Sequence, residues 1–108
     1  MTQNQQIAQT ILSQLGGRRF SLMTGAKNLV AVEMGLSFRI PRSGGVNYVN
    51  ITVTPADLYD IEFGYIRGES YKVVHKTEGL FANMLCAEFT DITGLDTAMP
   101  VVKVVGHE

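Results

Sequence analysis

Residues 46–68, VNYVNITVTPADLYDIEFGYIRG, hold two runs in which apolar and polar side chains alternate. Val49, Ile51 and Val53 share one face, opposite Asn50, Thr52 and Thr54. Tyr59, Ile61, Phe63 and Tyr65 then share a face opposite Asp60, Glu62 and Gly64. A period of two in β-branched and aromatic residues predicts half-buried strands. Thr54-Pro55-Ala56-Asp57 separates the runs, and Pro55, with no N–H and a fixed φ, fits the turn better than either strand. The stretch reads as the central hairpin of one sheet.

The pattern extends outward from that hairpin. Over residues 3–15, Ile7, Ile11, Leu12 and Leu15 make an apolar stripe on a Gln-rich body, which predicts a helix. Gly16-Gly17 ends it, since glycine takes the left-handed conformation of a helix end at least cost. Residues 18–24 (RRFSLMT) read as a first strand, and residues 25–28 as a turn. Residues 29–34 alternate weakly before Gly35, and Leu36, Phe38 and Ile40 alternate up to Pro41. Residues 42–45 form a glycine-containing loop, residues 67–70 a turn, and residues 71–75 a short strand. The period changes over residues 79–93, where Phe81, Met84, Leu85, Phe89 and Ile92 fit one helical face. Thr77 is the expected N-cap of this helix, Glu78 lies in its first turn, and Gly94 is its stop. Residues 99–108 contain Val101-Val102-Lys103-Val104-Val105, either a last edge strand or an apolar tail. Strands bracketed by helices predict a single α+β domain over residues 1–108. Its sheet is mainly antiparallel, with five or six strands and both helices packed on one face.

Composition adds little to the fold but narrows the chemistry. With 45% hydrophobic and 18% charged residues, the chain has the balance of a globular domain and not of a disordered one. The net charge of −1 gives no whole-molecule attraction to nucleic acid or to a membrane surface. Its distribution is uneven. Residues 1–50 carry Arg18, Arg19, Lys27, Arg39 and Arg42 against Glu33 alone, whereas the second half has nine carboxylates against four cations. The single cysteine, Cys86, forms no internal disulfide, which fits a cytoplasmic location. No apolar run approaches the ~18 residues of a membrane span, so no membrane partner is expected.

The chemistry-bearing side chains are sparse. His75 falls in a strand and His107 in the tail, and neither pairs with Cys86 at a zinc-binding spacing. Cys86 lies within an amphipathic helix, where cysteine behaves as a small hydrophobe. No catalytic, metal or cofactor site is therefore expected. Asp57, Asp60 and Glu62 are the densest carboxylates, with Asp60 and Glu62 on one strand face, and form a candidate protein-binding set. Arg18, Arg19, Lys27, Arg39 and Arg42 form a candidate nucleic-acid or anion-binding set. Two glycine groups lie beside these cations, and Phe20, Phe38 and Tyr48 lie near them as stacking aromatics or as core.

The order of short motifs carries a resemblance. Ile11-Leu12-x-Gln14-Leu15-Gly16-Gly17, then Met23-Thr24-Gly25-Ala26-Lys27-Asn28, then Leu58-Tyr59-Asp60-Ile61-Glu62-Phe63, and a closing Thr93-Gly94-Leu95 resemble a group of small bacteriophage and mobile-element proteins. The resemblance covers residues 7–95 and implies a setting but no catalytic residues. It implies a small cytoplasmic protein acting on host machinery or on its nucleic acid. The expected function is a non-enzymatic accessory factor that binds a host protein, such as an inhibitor of a host defence or replication component. The alternative is a nucleic-acid-binding module using the basic half. An edge strand at residues 101–105 would also allow a homodimer.

Overall fold

The computed structural model describes residues 2–97. Its elements in chain order are α1 (Gln3–Leu15), α2 (Arg18–Thr24), β1 (Lys27–Val32), β2 (Gly35–Ser43), β3 (Val46–Val53), β4 (Tyr59–Arg67), β5 (Ser70–Leu80), a short 3-10 turn (Ala82–Met84) and α3 (Leu85–Thr93). The five strands pair in sequence order, each antiparallel to the next. The α+β architecture expected from the pattern is present, with the residue 46–68 hairpin at its centre.

The register sets which side chains meet. Val49 stands opposite Phe38 on one side and Phe63 on the other, and Ile51 stands between Leu36 and Ile61. These alternate positions, with Ile40 and Tyr59, make one buried sheet face. The helices cover it with Ala8, Ile11 and Leu15 from α1, Phe20 from α2, and Leu85 and Phe89 from α3. Phe20 meets Phe38 and Phe89 edge-on, at centroid distances of 5.3 and 5.2 Å, the arrangement favoured by the ring quadrupole. A capping box at Thr2 and Gln5 starts α1. Asn4 fixes its first turn to the β1–β2 turn by accepting the Met34 N–H. At the other end of the helical layer, the Cys86 thiol of α3 faces the Gln14 and Leu15 carbonyls of α1.

Several local expectations are corrected. Residues 18–24 form a helix and not a strand. A strand would put Phe20, Leu22 and Thr24 on one face. The helix buries Phe20 and Thr24, one turn apart, and leaves Leu22 78% exposed. Gly17, at φ 62°, therefore caps a helix, though one of only seven residues. Lys27 and Asn28 belong to β1 and not to a turn, while Glu33 and Met34 turn the chain. Gly35 opens β2 where it was expected to interrupt. A Cβ there would lie 2.0 Å from the Ile51 carbonyl oxygen, so only glycine lets β2 approach β3 this closely.

The largest correction concerns Thr77. It does not cap a helix, because β5 continues to Leu80, which pairs with Tyr59 and is buried. Two register shifts along β4–β5 accommodate the extra length, the second beside Gly79 at φ 73°. The helix accordingly starts at Leu85 and buries Leu85 and Phe89, whereas Phe81 is 62% exposed. Glu78, expected in a first helical turn, lies on β5 with its carboxylate 3.6 Å from Lys76 Nζ. The edge strand or tail expected at residues 99–108, including His107, lies outside the described residues, and so does the pairing of residues 101–105 in a homodimer.

Candidate functional site

The face of the sheet turned away from the helices carries the polar half of the alternation in β2, β3 and β4. Across it, Lys27, Arg39, Tyr48, Gly64 and Val73 stand in one row of cross-strand partners. The next row runs Val30, Ser37, Asn50, Glu62 and Lys76. Among the described residues no helix packs on this face, and it is the candidate site.

Its best-defined feature is at the β4–β5 side. Gly64 lacks a side chain, and the Tyr71 ring lies in that space: a Cβ on Gly64 would be 2.2 Å from a Tyr71 ring carbon. The ring meets Tyr48 edge-on at 5.6 Å, and its hydroxyl donates to Glu62 Oε2 at 2.6 Å. Partial burial, and then the hydrogen bond to Glu62 and its negative charge, push the Tyr71 hydroxyl up from its ordinary value of 10.0. Tyr71 therefore stays protonated and bound to the carboxylate throughout the neutral range. Next to this cluster, Asn47 holds the end of the hairpin. Its side-chain amide donates to the Ile66 carbonyl at 2.8 Å and accepts the Ile66 N–H at 2.7 Å.

A second polar group sits where α3 crosses β5 on the covered side. The Thr77 hydroxyl donates to Glu88 Oε2 at 2.6 Å and lies 3.0 Å from His75 Nε2. Since the hydroxyl's one hydrogen goes to Glu88, its oxygen accepts from His75, which makes Nε2 the donor. His75 Nε2 is also 3.8 Å from Glu88 Oε2. The group joins strand to helix through the Glu88 side chain, and Thr77 caps no helix.

The candidate basic set does not converge. Lys27 and Arg39 are cross-strand partners on the open face. Arg18 and Arg19 begin α2 in the helical layer. The Arg42 guanidinium lies over the Tyr65 ring, 5.0 Å from its centroid. Of the expected aromatics, Phe20 and Phe38 are core, while Tyr48 is on the open face. The acidic set divides as well. Asp60 and Glu62 share the open face, Asp60 accepting the Gly79 N–H at 3.1 Å. Asp57 belongs to the β3–β4 turn, at φ 61°, and lines a hollow beside the first half of α1 with Gln6, Thr10 and Pro55.

Tyr71, Val73 and Val74 were not singled out from the sequence, yet all three are exposed on β5, with Tyr71 44% accessible. The signal available was the alternation of residues 71–75, which marks a strand but not which sheet edge it forms. Arg39 Nε and Asn50 Oδ1, both on the open face, are buried atoms without an intramolecular hydrogen-bond partner. No three His, Cys, Asp or Glu side chains converge as metal ligands among the described residues, and no helix there is long and apolar enough to cross a membrane. No protein family, curated protein or solved structure matches the chain.

Proposed function

We propose that this chain is a non-enzymatic accessory protein that acts in the cytoplasm by binding a protein, through the open sheet face and the β5 edge. The observation that carries the reading is the exposed apolar run Tyr71, Val73 and Val74, set on an edge strand beside a face rich in hydrogen-bonding groups. An apolar strip with a polar surround, on a strand that pairs on one side only among the described residues, is a surface that another protein covers favourably. The motif resemblance supplies the setting: a phage or mobile element, a host protein as partner, and inhibition of a defence or replication component as the outcome.

A nucleic-acid reading has one specific observation in its favour, the adjacency of Lys27 and Arg39 near Tyr48. Against it, Asp60 and Glu62 put negative charge on the same face and would repel phosphate. Tyr48 also meets Tyr71 edge-on, which limits it as a platform for a base.

The test compares capture from host lysate by the wild-type chain and by Val73→Lys, alongside titration with short single- and double-stranded oligonucleotides. A protein recovered by the wild type and lost with Val73→Lys is the expected result. Oligonucleotide binding that weakens steeply with salt, with no protein recovered, overturns the reading.

A further inference from the structure

β1 is exposed along almost its whole length. Among the described residues it pairs with β2 alone, so its outer edge carries main-chain groups without a ladder partner. Leu29 and Val30 are exposed there, Val30 at 52%. On the helical side a groove of about 380 Å³ lies between α1 and this end of the sheet, lined by Ala8, Leu12, Leu29, Ala31 and Leu36. From Asn28 to Val32 the strand holds no charged side chain, a common device by which an edge strand avoids pairing with another.

We propose that this edge pairs with the same edge of a second copy of the chain, antiparallel, about a two-fold axis through Val30. The β1–β2 hairpin sets the register. Glu33 and Met34 form a two-residue turn, so Val32 and Gly35 are hydrogen-bonded to each other across it. Bonded pairs alternate along an antiparallel ladder, which makes Val30 and Ser37 the next one. The N–H and C=O groups of Leu29 and Ala31 are thereby turned to the outer edge. A two-fold through Val30 brings Leu29 of each copy opposite Ala31 of the other, and these outward groups bond to one another. A slip of one residue would set outward groups against inward ones and form no ladder.

Charge at the two ends of the strand selects a second copy as the occupant. Lys27 begins β1 and Glu33 follows its last residue, each three positions from Val30. The same axis sets Lys27 of each copy opposite Glu33 of the other, so both charges are complemented twice. Within one copy Lys27 stands across from Arg39, a like charge. Among the described residues no carboxylate lies within ion-pair distance of either cation, and Glu33 has no cation within that distance. The register shift between Lys27 and Val30, with Asn28 at φ 55°, confines the regular ladder to the middle of the strand, so side chains supply the rest of the contact. Leu29 and Ala31 lie on the helical face, where Ala31 pairs with the buried Leu36. The large Leu29 of one copy therefore meets the small Ala31 of the other at the mouth of the groove. On the open face the two Val30 side chains meet on the axis. Two five-stranded sheets become one continuous sheet with β5 at each outer end, so the inference does not depend on the function proposed above.

Sedimentation equilibrium of the full chain over a wide concentration range tests this. A mass of twice 11.8 kDa is expected at high concentration. Val30→Lys sets two like charges against each other on the axis and should return the monomer, with an unchanged circular dichroism spectrum because Val30 is exposed. Lys27→Glu should weaken dimerisation roughly ten-fold, and Lys27→Glu combined with Glu33→Lys should restore it. If Val30→Lys fails to fold, the charge exchange decides alone. Val73→Lys, on β5, should leave the dimer intact. A chain that stays monomeric at every concentration overturns the proposal. So does a dimer that survives Val30→Lys in a folded chain, or whose strength does not follow the charge exchange. A dimer lost with Val73→Lys instead also overturns it, and assigns the pairing to β5.

Discussion

At the scale of single residues, two glycines and one tyrosine carry most of what distinguishes the open face. Gly35 and Gly64 both leave room for a close neighbour, but the neighbours differ. At Gly35 the obstacle to a Cβ is the Ile51 backbone, which cannot move without breaking the β2–β3 ladder. Gly35→Ala is expected to cost about 1–3 kcal/mol, read from the denaturant midpoint. At Gly64 the obstacle is the Tyr71 ring, the far end of a side chain that can swing away. Gly64→Ala should therefore destabilise less than Gly35→Ala, while separating Tyr71 from Glu62. A Gly64→Ala loss as large as that of Gly35→Ala would show that the ring is fixed.

The Tyr71 hydroxyl also sets a pH dependence. Its native pKa is raised, so the native state holds the proton more tightly than the unfolded chain does. That contribution is fully present below the unfolded value near 10 and is lost as pH rises from there toward the native value. Urea midpoints should fall above pH 10, and Tyr71→Phe should flatten the fall. The ring is 44% exposed, so solvent screening keeps the effect small.

At the scale of elements, α2 is the instructive case. Residues 18–24 alternate well enough to suggest a strand, and their helical reading depends on what they pack against. Phe20 completes a three-ring cluster with Phe38 and Phe89, whereas Leu22 points into solvent. Phe20→Ala should cost about 3–5 kcal/mol. Leu22→Gln should change stability by no more than about 0.5 kcal/mol. Comparable losses at both positions, measured by chemical denaturation, would indicate the strand arrangement instead. β5 teaches a related point. Its early residues were legible from alternation, but its continuation to Leu80 depends on Tyr59 across the ladder and on the turn at Gly79.

At the scale of the whole molecule, the charge imbalance between the two halves of the sequence does not become two opposed faces. Cations of the first half separate into Arg18 and Arg19 on α2, Lys27 and Arg39 on the open face, and Arg42 over Tyr65. Carboxylates of the second half share the open face with Lys27 and Arg39, through Asp60 and Glu62. Any weak affinity for oligonucleotides should thus come from separate places. In low salt, Arg18→Ala with Arg19→Ala and Lys27→Ala with Arg39→Ala should weaken binding by additive amounts. Strong non-additivity in a filter-binding or anisotropy assay would mean that the two pairs act as one site.

What the sequence determined by itself follows from short-range periodicity. A period of two over residues 46–68 admits only strands with one buried face, and Pro55 with Asp57 admits only a turn between them. The antiparallel α+β class, the first helix, and the pairing of Asp60 with Glu62 on one face were legible for that reason. The tertiary structure decided whatever depends on partners distant along the chain. Phe38 and Phe89 make residues 18–24 a helix, and Tyr59 draws Leu80 into β5, which moves Thr77 from a cap to a strand. Among the described residues, the strand order puts β1 and β5 at the two edges of the sheet and exposes Tyr71, Val73 and Val74. Alternation fixes which side chains share a face, but burial of that face, and the neighbours of each charge, are fixed only when separate elements pack together.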